Sequence, residues 1–166
     1  MASPSFKDHF SSQAAEYERY RPGYPPSLFA WLAGHAPGRG RALDLGTGNG
    51  QAALGLAEYF DEVVATEPSA AQLARARPHP RVRYEVGTAE HTGLPEASVD
   101  LVTAAQAAHW FALAPFVAEL RRVLRPGGLA ALWTYEKFRA GDAVDRLVDD
   151  FYRDVVGPYW PPERRH

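Results

Sequence analysis

The residues best suited to chemistry form one short run, Asp44-Leu45-Gly46-Thr47-Gly48-Asn49-Gly50, with an acid, Glu67, further along. Glycines at alternate positions let the backbone turn tightly and approach a bound group closely. A helix starting just beyond them would present free N–H groups and the positive end of its dipole. Glu67 falls about twenty residues on, where a carboxylate can accept two hydrogen bonds from a ribose diol. Together these features point to an adenosine-containing ligand. The spacing is G-x-G-x-G, not the G-x-G-x-x-G of a dinucleotide site. Asp44 would repel a pyrophosphate and would suit a ligand that carries an ammonium group. It is read in two ways, as an acceptor for that ammonium or as the residue that orders the loop.

A second group, Gln106-Ala107-Ala108-His109-Trp110-Phe111, follows a strand pattern at 99–104. Open α/β sheets bind their ligands beyond the carboxyl ends of the strands, so Gln106, His109 and Trp110 are candidates to line a site. The competing reading is a buried aromatic cluster with a hydrogen-bonded histidine. The remaining histidines, at 9, 35, 79, 91 and 166, lack the helical two-ligand spacing of a metal site, and no metal is expected.

The elements that would position these groups alternate. Strand patterns at 41–45, 62–66, 82–86, 99–104 and 129–134 are separated by helical stretches at 50–59, 70–77 and 114–124. Ser69 is placed to cap the helix it precedes. Arg125-Pro126-Gly127-Gly128 reads as a turn, and 142–155 as a further helix. Upstream, 5–21 reads as a polar, aromatic-studded helix carrying Phe6, Phe10 and Tyr17. A second helix runs from about Pro26 to Ala33, with Gly34 as its C-cap. Alternating β and α elements predict a doubly wound, mostly parallel α/β sheet with helices on both faces. Asp100 opens a strand and is expected to position the glycine loop or neighbouring backbone.

At 166 residues, with 46 % apolar and 23 % charged side chains, the chain has the make-up of one globular domain. Eighteen basic against twenty acidic residues give a net charge of −2, which leaves no broad electrostatic footprint for nucleic acid. With no cysteine there is no disulfide, Cys-ligated zinc, iron–sulfur cluster or thiolate nucleophile. No leader pattern or membrane-length apolar run is present, so a cytoplasmic protein with neither membrane nor nucleic-acid partners is expected.

The run Asp44–Gly50 resembles the first motif of the class I S-adenosylmethionine-dependent methyltransferases, and the resemblance continues in order. Glu67 is similar to the family's ribose-binding acid. Gly87-Thr88-Ala89-Glu90 with Leu94-Pro95 resembles the adenine-side loop, and Val99-Asp100-Leu101-Val102 the fourth-strand motif. Leu120 to Gly128 resembles the helix and turn before the fifth strand. The resemblance implies a Rossmann-like sheet ordered 3-2-1-4-5-7-6, with the last two strands lacking here. It implies S-adenosyl-L-methionine as cofactor, held by Asp44, Gly46, Thr47, Gly48, Gly50, Glu67, Pro68, Thr88, Ala89, Glu90 and Gln106. Thr88 stands where the family often has an acid, so Glu90 or backbone atoms would share its role. Residues 1–36 would form an N-terminal helical cover and 37–166 the cofactor-binding core.

At a finer level, Tyr17, Tyr20-Arg21-Pro22-Gly23-Tyr24 and Gln106–Phe111 resemble the small-molecule branch similar to trans-aconitate methyltransferase. That resemblance implies a substrate pocket lined by Tyr17, Arg21, His109 and Trp110, with His109 as a candidate for proton transfer. The acceptor would be a small molecule, with a carboxylate as one candidate. Without cysteine the thiolate route to cytosine C5 is closed, and the amino-methylating Asn/Asp-Pro-Pro-Tyr/Phe run is absent after the fourth strand. Two other classes stay in play. One is a non-catalytic or incomplete binding module. The other is an NAD(P)-dependent oxidoreductase on the same sheet, which Asp44 and the glycine spacing disfavour. A strand left at an open edge would call for cover, for which a second copy is a candidate.

Overall fold

The structure, a computed structural model, describes residues 23–135 and 139–159. The helix expected over 5–21, with Tyr17 and Arg21, lies outside the described residues. The chain divides into two compact units, Met1–Thr134 and Tyr135–His166.

The first unit carries α1 (Pro26–His35), β1 (Arg41–Leu45), α2 (Gln51–Ala57), β2 (Glu62–Glu67) and α3 (Ala70–Leu73). It continues through β3 (Val82–Val86), β4 (Val99–Ala105), α4 (Leu113–Val123) and β5 (Leu124–Trp133). The five strands form one parallel sheet in the order β3-β2-β1-β4-β5. This is the doubly wound α/β arrangement that the alternating pattern predicts. β1 and β4 lie inside the sheet and are buried almost throughout, because helices cover both faces.

Strand alternation divides the core. On one face Ala42, Val63, Ala65 and Leu101 pack with Phe29 and Leu32 of α1 and Ala53 and Leu56 of α2. On the other, Leu43, Leu45, Val64 and Val102 pack with Phe116 and Val123 of α4. Gly55 lets α1 lie close on α2, since a Cβ there would overlap the Phe29 ring.

Element ends differ from the sequence reading for local reasons. α1 runs on through Gly34 to His35 and stops because Ala36 precedes Pro37 and is extended. α2 starts after Gly50, which is left-handed and cannot be helical. After Leu73, α3 tightens into three-residue turns, with Arg75 and Ala76 donating to Gln72 and Leu73 carbonyls. The largest difference is at 125–128. Pairing with β4 already begins at Leu124, opposite Val99, and resumes at Leu129 opposite Leu101. The intervening residues loop out, with Gly127 at φ +78°. Arg125 leaves the strand line to reach Asp100, its Nη1 donating to Oδ1 at 2.6 Å.

In the second unit, α5 (Asp142–Asp150) is followed by wider turns over Phe151–Val156 and a tight turn at Gly157–Tyr159. The single helix expected over 142–155 thus changes pitch at Phe151. Asp145 accepts from the Ala140 N–H at 2.8 Å, ordering the start of α5.

Candidate functional site

All five strands are parallel, so their carboxyl ends share one edge of the sheet. The glycine loop follows β1 there, Pro68–Ser69 follows β2, Gly87–Glu90 follows β3 and Gln106–Phe111 follows β4. The sequence-predicted residues of the described chain therefore come together on four neighbouring strand ends and loops.

Gly46, Gly48 and Gly50 have φ of +63°, +60° and +88°, a conformation that costs other residues roughly 1–2 kcal/mol each. Sterics add to this requirement. A Cβ on Gly46 would sit 2.6 Å from the Cβ of Ala107, and one on Gly50 would overlap the Tyr84 hydroxyl. The loop is tied at three points. Thr47 N–H donates to the Thr66 carbonyl at 3.0 Å. Gly48 N–H donates to Glu67 Oε2 at 3.0 Å. The Thr47 hydroxyl donates to Asp44 Oδ2 at 2.6 Å.

Asp44 is 1 % exposed, and its other oxygen accepts from Thr103 Oγ1 at 2.7 Å. Both carboxylate oxygens thus take hydroxyl protons from the protein, and of the two roles open to Asp44 this geometry builds the ordering of the loop. Sequence reasoning missed Thr103. It lies 59 positions away and becomes a partner only because parallel pairing sets Asp44 opposite Thr103. Tyr84 stands beside this loop. Burial first, then the Asp44 charge, raise its phenol above the ordinary range, and its hydroxyl donates to the Arg77 carbonyl at 3.1 Å.

Glu67 ends β2 and is 5 % exposed. Its second oxygen accepts from Ser69 N–H at 3.1 Å, while Ser69 Oγ caps α3 by accepting from Gln72 N–H. Glu67 is thereby locked between the glycine loop and α3.

On the β3 side, Thr88 is exposed and forms an antiparallel bridge with His91. Ala89 is buried in the second core cluster. Glu90 turns towards the neighbouring loop and accepts from the Ala112 N–H at 2.8 Å, at the start of α4. A further clamp went unread in sequence. Glu119 of α4 accepts from Thr92 N–H and Oγ1 at 2.8 and 2.7 Å and pairs with Arg122, which donates to the Leu94 carbonyl at 2.7 Å. Arg122, and next the two Thr92 bonds, outweigh burial and pull the Glu119 carboxyl down to about 2.

Beyond β4, Gln106 has φ +58°, a strained value for a residue with a side chain. Its N–H donates to the Trp133 carbonyl at 3.0 Å, and Oε1 accepts from the Thr134 hydroxyl at 3.0 Å. His109 and Trp110 occupy a short 3-10 turn, both exposed, with ring centroids 4.8 Å apart. The buried-histidine reading of this run is therefore not what folds.

Four buried side-chain atoms among the described residues have no hydrogen-bond partner: Gln51 Oε1, Thr66 Oγ1, Gln106 Nε2 and Trp133 Nε1. All four belong to residues at the carboxyl edge. Native interiors leave few such groups, so their concentration at one edge marks a place built to meet something else. Asp100, by contrast, lies at the opposite edge and accepts from Arg41 N–H at 2.8 Å. Of its two expected roles, the structure builds the support of neighbouring backbone. Among the described residues no three His, Asp or Glu side chains gather as a metal set.

Residues 43–132 match the methyltransferase domain family, more than half of the chain. A curated Dictyostelium discoideum protein named as a methyltransferase is 38 % identical, over 100 % of this chain and 66 % of its own length. A Saccharomyces cerevisiae protein named for S-adenosylmethionine-dependent methyl transfer is 32 % identical, over 92 % of this chain and 57 % of its own. A solved structure from Anaeromyxobacter dehalogenans, named for a type II methyltransferase, is 55 % identical. It covers 89 % of this chain and 63 % of that one, with a TM-score of 0.78. The chain thus spans less than two thirds of the length of each of these relatives. The glycine cradle, the locked strand-end acid and the domain match agree, and the chain belongs to the class I S-adenosylmethionine-dependent methyltransferases.

Proposed function

We propose that this chain binds S-adenosyl-L-methionine at the carboxyl edge of its sheet and directs methyl transfer to a small-molecule acceptor bearing a carboxylate. The observation that carries the reading is the buried Glu67 carboxylate bonded to Gly48 N–H, which couples a diol-binding acid to a glycine cradle. The residues fit the cofactor. Positive-φ glycines leave room that a Cβ would fill, and buried polar atoms without partners lie on residues of the same sheet edge. Gly46, Thr47, Gly48 and Gly50 would hold it closely, Glu67 and Pro68 would take the ribose, and Thr88 and Ala89 would flank the adenine. Asp44 would act through the loop it orders, and Glu90 through the start of α4.

When bound, the cofactor supplies a methyl group already activated on a sulfonium. The protein's part is alignment and exclusion of water. Trp110 offers a π face to positive charge, and Arg21 an ion pair to an anionic acceptor. His109 would take a proton where the acceptor carries one. The Gln106–Phe111 run supports a branch similar to trans-aconitate methyltransferase. Leu132 on β5 is 47 % exposed, which supports a second copy as cover for that edge and is checked by sedimentation of the chain.

Calorimetric titration with S-adenosyl-L-homocysteine tests the cofactor, with micromolar affinity expected. Displacement of that ligand by NADH at similar concentration would overturn the reading in favour of a dehydrogenase. Turnover of a panel of carboxylic acids then separates an enzyme from a binding module, and His109→Ala is expected to lower kcat more than it raises KM.

A further inference from the structure

Gln106 combines features that ordinary packing does not require. Its backbone is held at φ +58°, its Nε2 is buried without a partner, and its Oε1 is engaged by the Thr134 hydroxyl at 3.0 Å. A side-chain amide can turn over and exchange its oxygen for its NH2 group. With the Thr134 hydroxyl donating to the oxygen, the NH2 group is the end left to meet a ligand. Thr134 follows β5 and Gln106 follows β4, and Ala105 pairs with Trp133 just before them, so strand register itself brings the two together.

We propose that Thr134 is a positioning residue that fixes Gln106 as a hydrogen-bond donor to the carboxylate of the cofactor's amino-acid portion. The inference rests on the cofactor reading above and extends it. The strand order is β2-β1-β4 at this point. A ligand whose ribose sits at Glu67 on β2 and which crosses the glycines after β1 next reaches the end of β4. Ala107, adjacent to Gln106, lies directly over Gly46, so the β4 loop walls the far end of that cradle. The cofactor's amino-acid portion carries two polar groups, an ammonium and a carboxylate. An NH2 group serves the second, and only while its oxygen is held elsewhere. Asp44, whose two oxygens already take hydroxyls from Thr47 and Thr103, cannot serve a carboxylate.

The test compares two probes that differ in this portion, S-adenosyl-L-homocysteine and 5′-methylthioadenosine, which lacks the amino acid. Both are titrated calorimetrically into the chain and three variants. Gln106→Glu keeps the shape and puts a carboxylate against a carboxylate. It is expected to weaken S-adenosyl-L-homocysteine about tenfold to a hundredfold, the range for a hydrogen bond to a charged group, and to leave 5′-methylthioadenosine unchanged. Thr134→Val should weaken the first probe by about threefold to tenfold, as expected for one neutral hydrogen bond, with Thr134→Ser restoring it. Equal weakening of both probes, or no change in either, overturns the inference alone, as does a wild-type chain that binds both probes equally. A folded wild-type chain that binds neither overturns the cofactor reading and this inference with it.

Discussion

Asp44 and Asp100 are buried aspartates on neighbouring strands, at opposite edges of the sheet. Asp100 meets a backbone N–H and a guanidinium, and its surroundings are closed. A Cβ on Gly38 would lie 2.7 Å from its carboxylate. Asp44 meets two hydroxyls and orders a loop of left-handed glycines, around which buried donors and acceptors stay unpaired. One edge is satisfied internally, and the other holds polar groups in reserve. The difference separates stability from binding: damage at the Asp100 edge should be felt in folding, and damage at the Asp44 edge mainly in ligand affinity.

The sharpest way to break this division is Asp100→Ala. Removing this acceptor leaves the Arg41 N–H unmatched, while the half-exposed Arg125 turns to water, and should cost about 1–3 kcal/mol in denaturant unfolding. Affinity of the folded fraction for S-adenosyl-L-homocysteine should not change. A large loss of affinity at constant stability would erase the distinction between edges.

Glu119 supplies a pH arm of similar size. Its carboxyl is depressed from the ordinary 4.5 to about 2. The stability it adds is therefore complete above about pH 4.5 and is lost as the pH falls towards 2. The loss should be on the order of 3 kcal/mol. Glu119→Gln should flatten that limb of the unfolding profile while leaving ligand binding at pH 7 largely intact.

At the opposite edge, Gly50→Ala forces a side chain into φ +88° and against Tyr84. About 1–2 kcal/mol of stability should go, read as a lower Tm. Affinity for S-adenosyl-L-homocysteine should fall about tenfold or more, because a shift of about 1.4 kcal/mol in the bound geometry has that effect. Glu67→Gln is the mildest. Its amide NH2 cannot accept, so one of the two backbone bonds is lost at a cost of about 1 kcal/mol in stability, while the affinity for S-adenosyl-L-homocysteine drops and that for adenine alone does not.

Much of this was legible along the chain. Strands, their parallel class and the glycine–acid pairing follow from short-range patterns, since a glycine-rich turn and a strand-end acid are separated by one helix, one turn and one strand. One feature was misplaced and one partner went unread for tertiary reasons. The turn at 125–128 is a loop-out within a paired strand, because Asp100 draws Arg125 sideways. The Glu90 carboxylate is taken by the Ala112 N–H, a partner that exists only once β3 and α4 are neighbours.

From sequence alone came an α/β sheet and the expectation of a site at its carboxyl edge, with an adenosine ligand held by Gly46–Gly50 and Glu67. These depend on backbone freedom and periodicity, which are local properties. Only the folded chain decided that Asp44 serves the loop through Thr103. The same holds for Thr134 turning the Gln106 amide and for Glu119 clamping the β3 loop. Each of these needs strands or helices brought into register from distant positions, and register is set by which faces bury together.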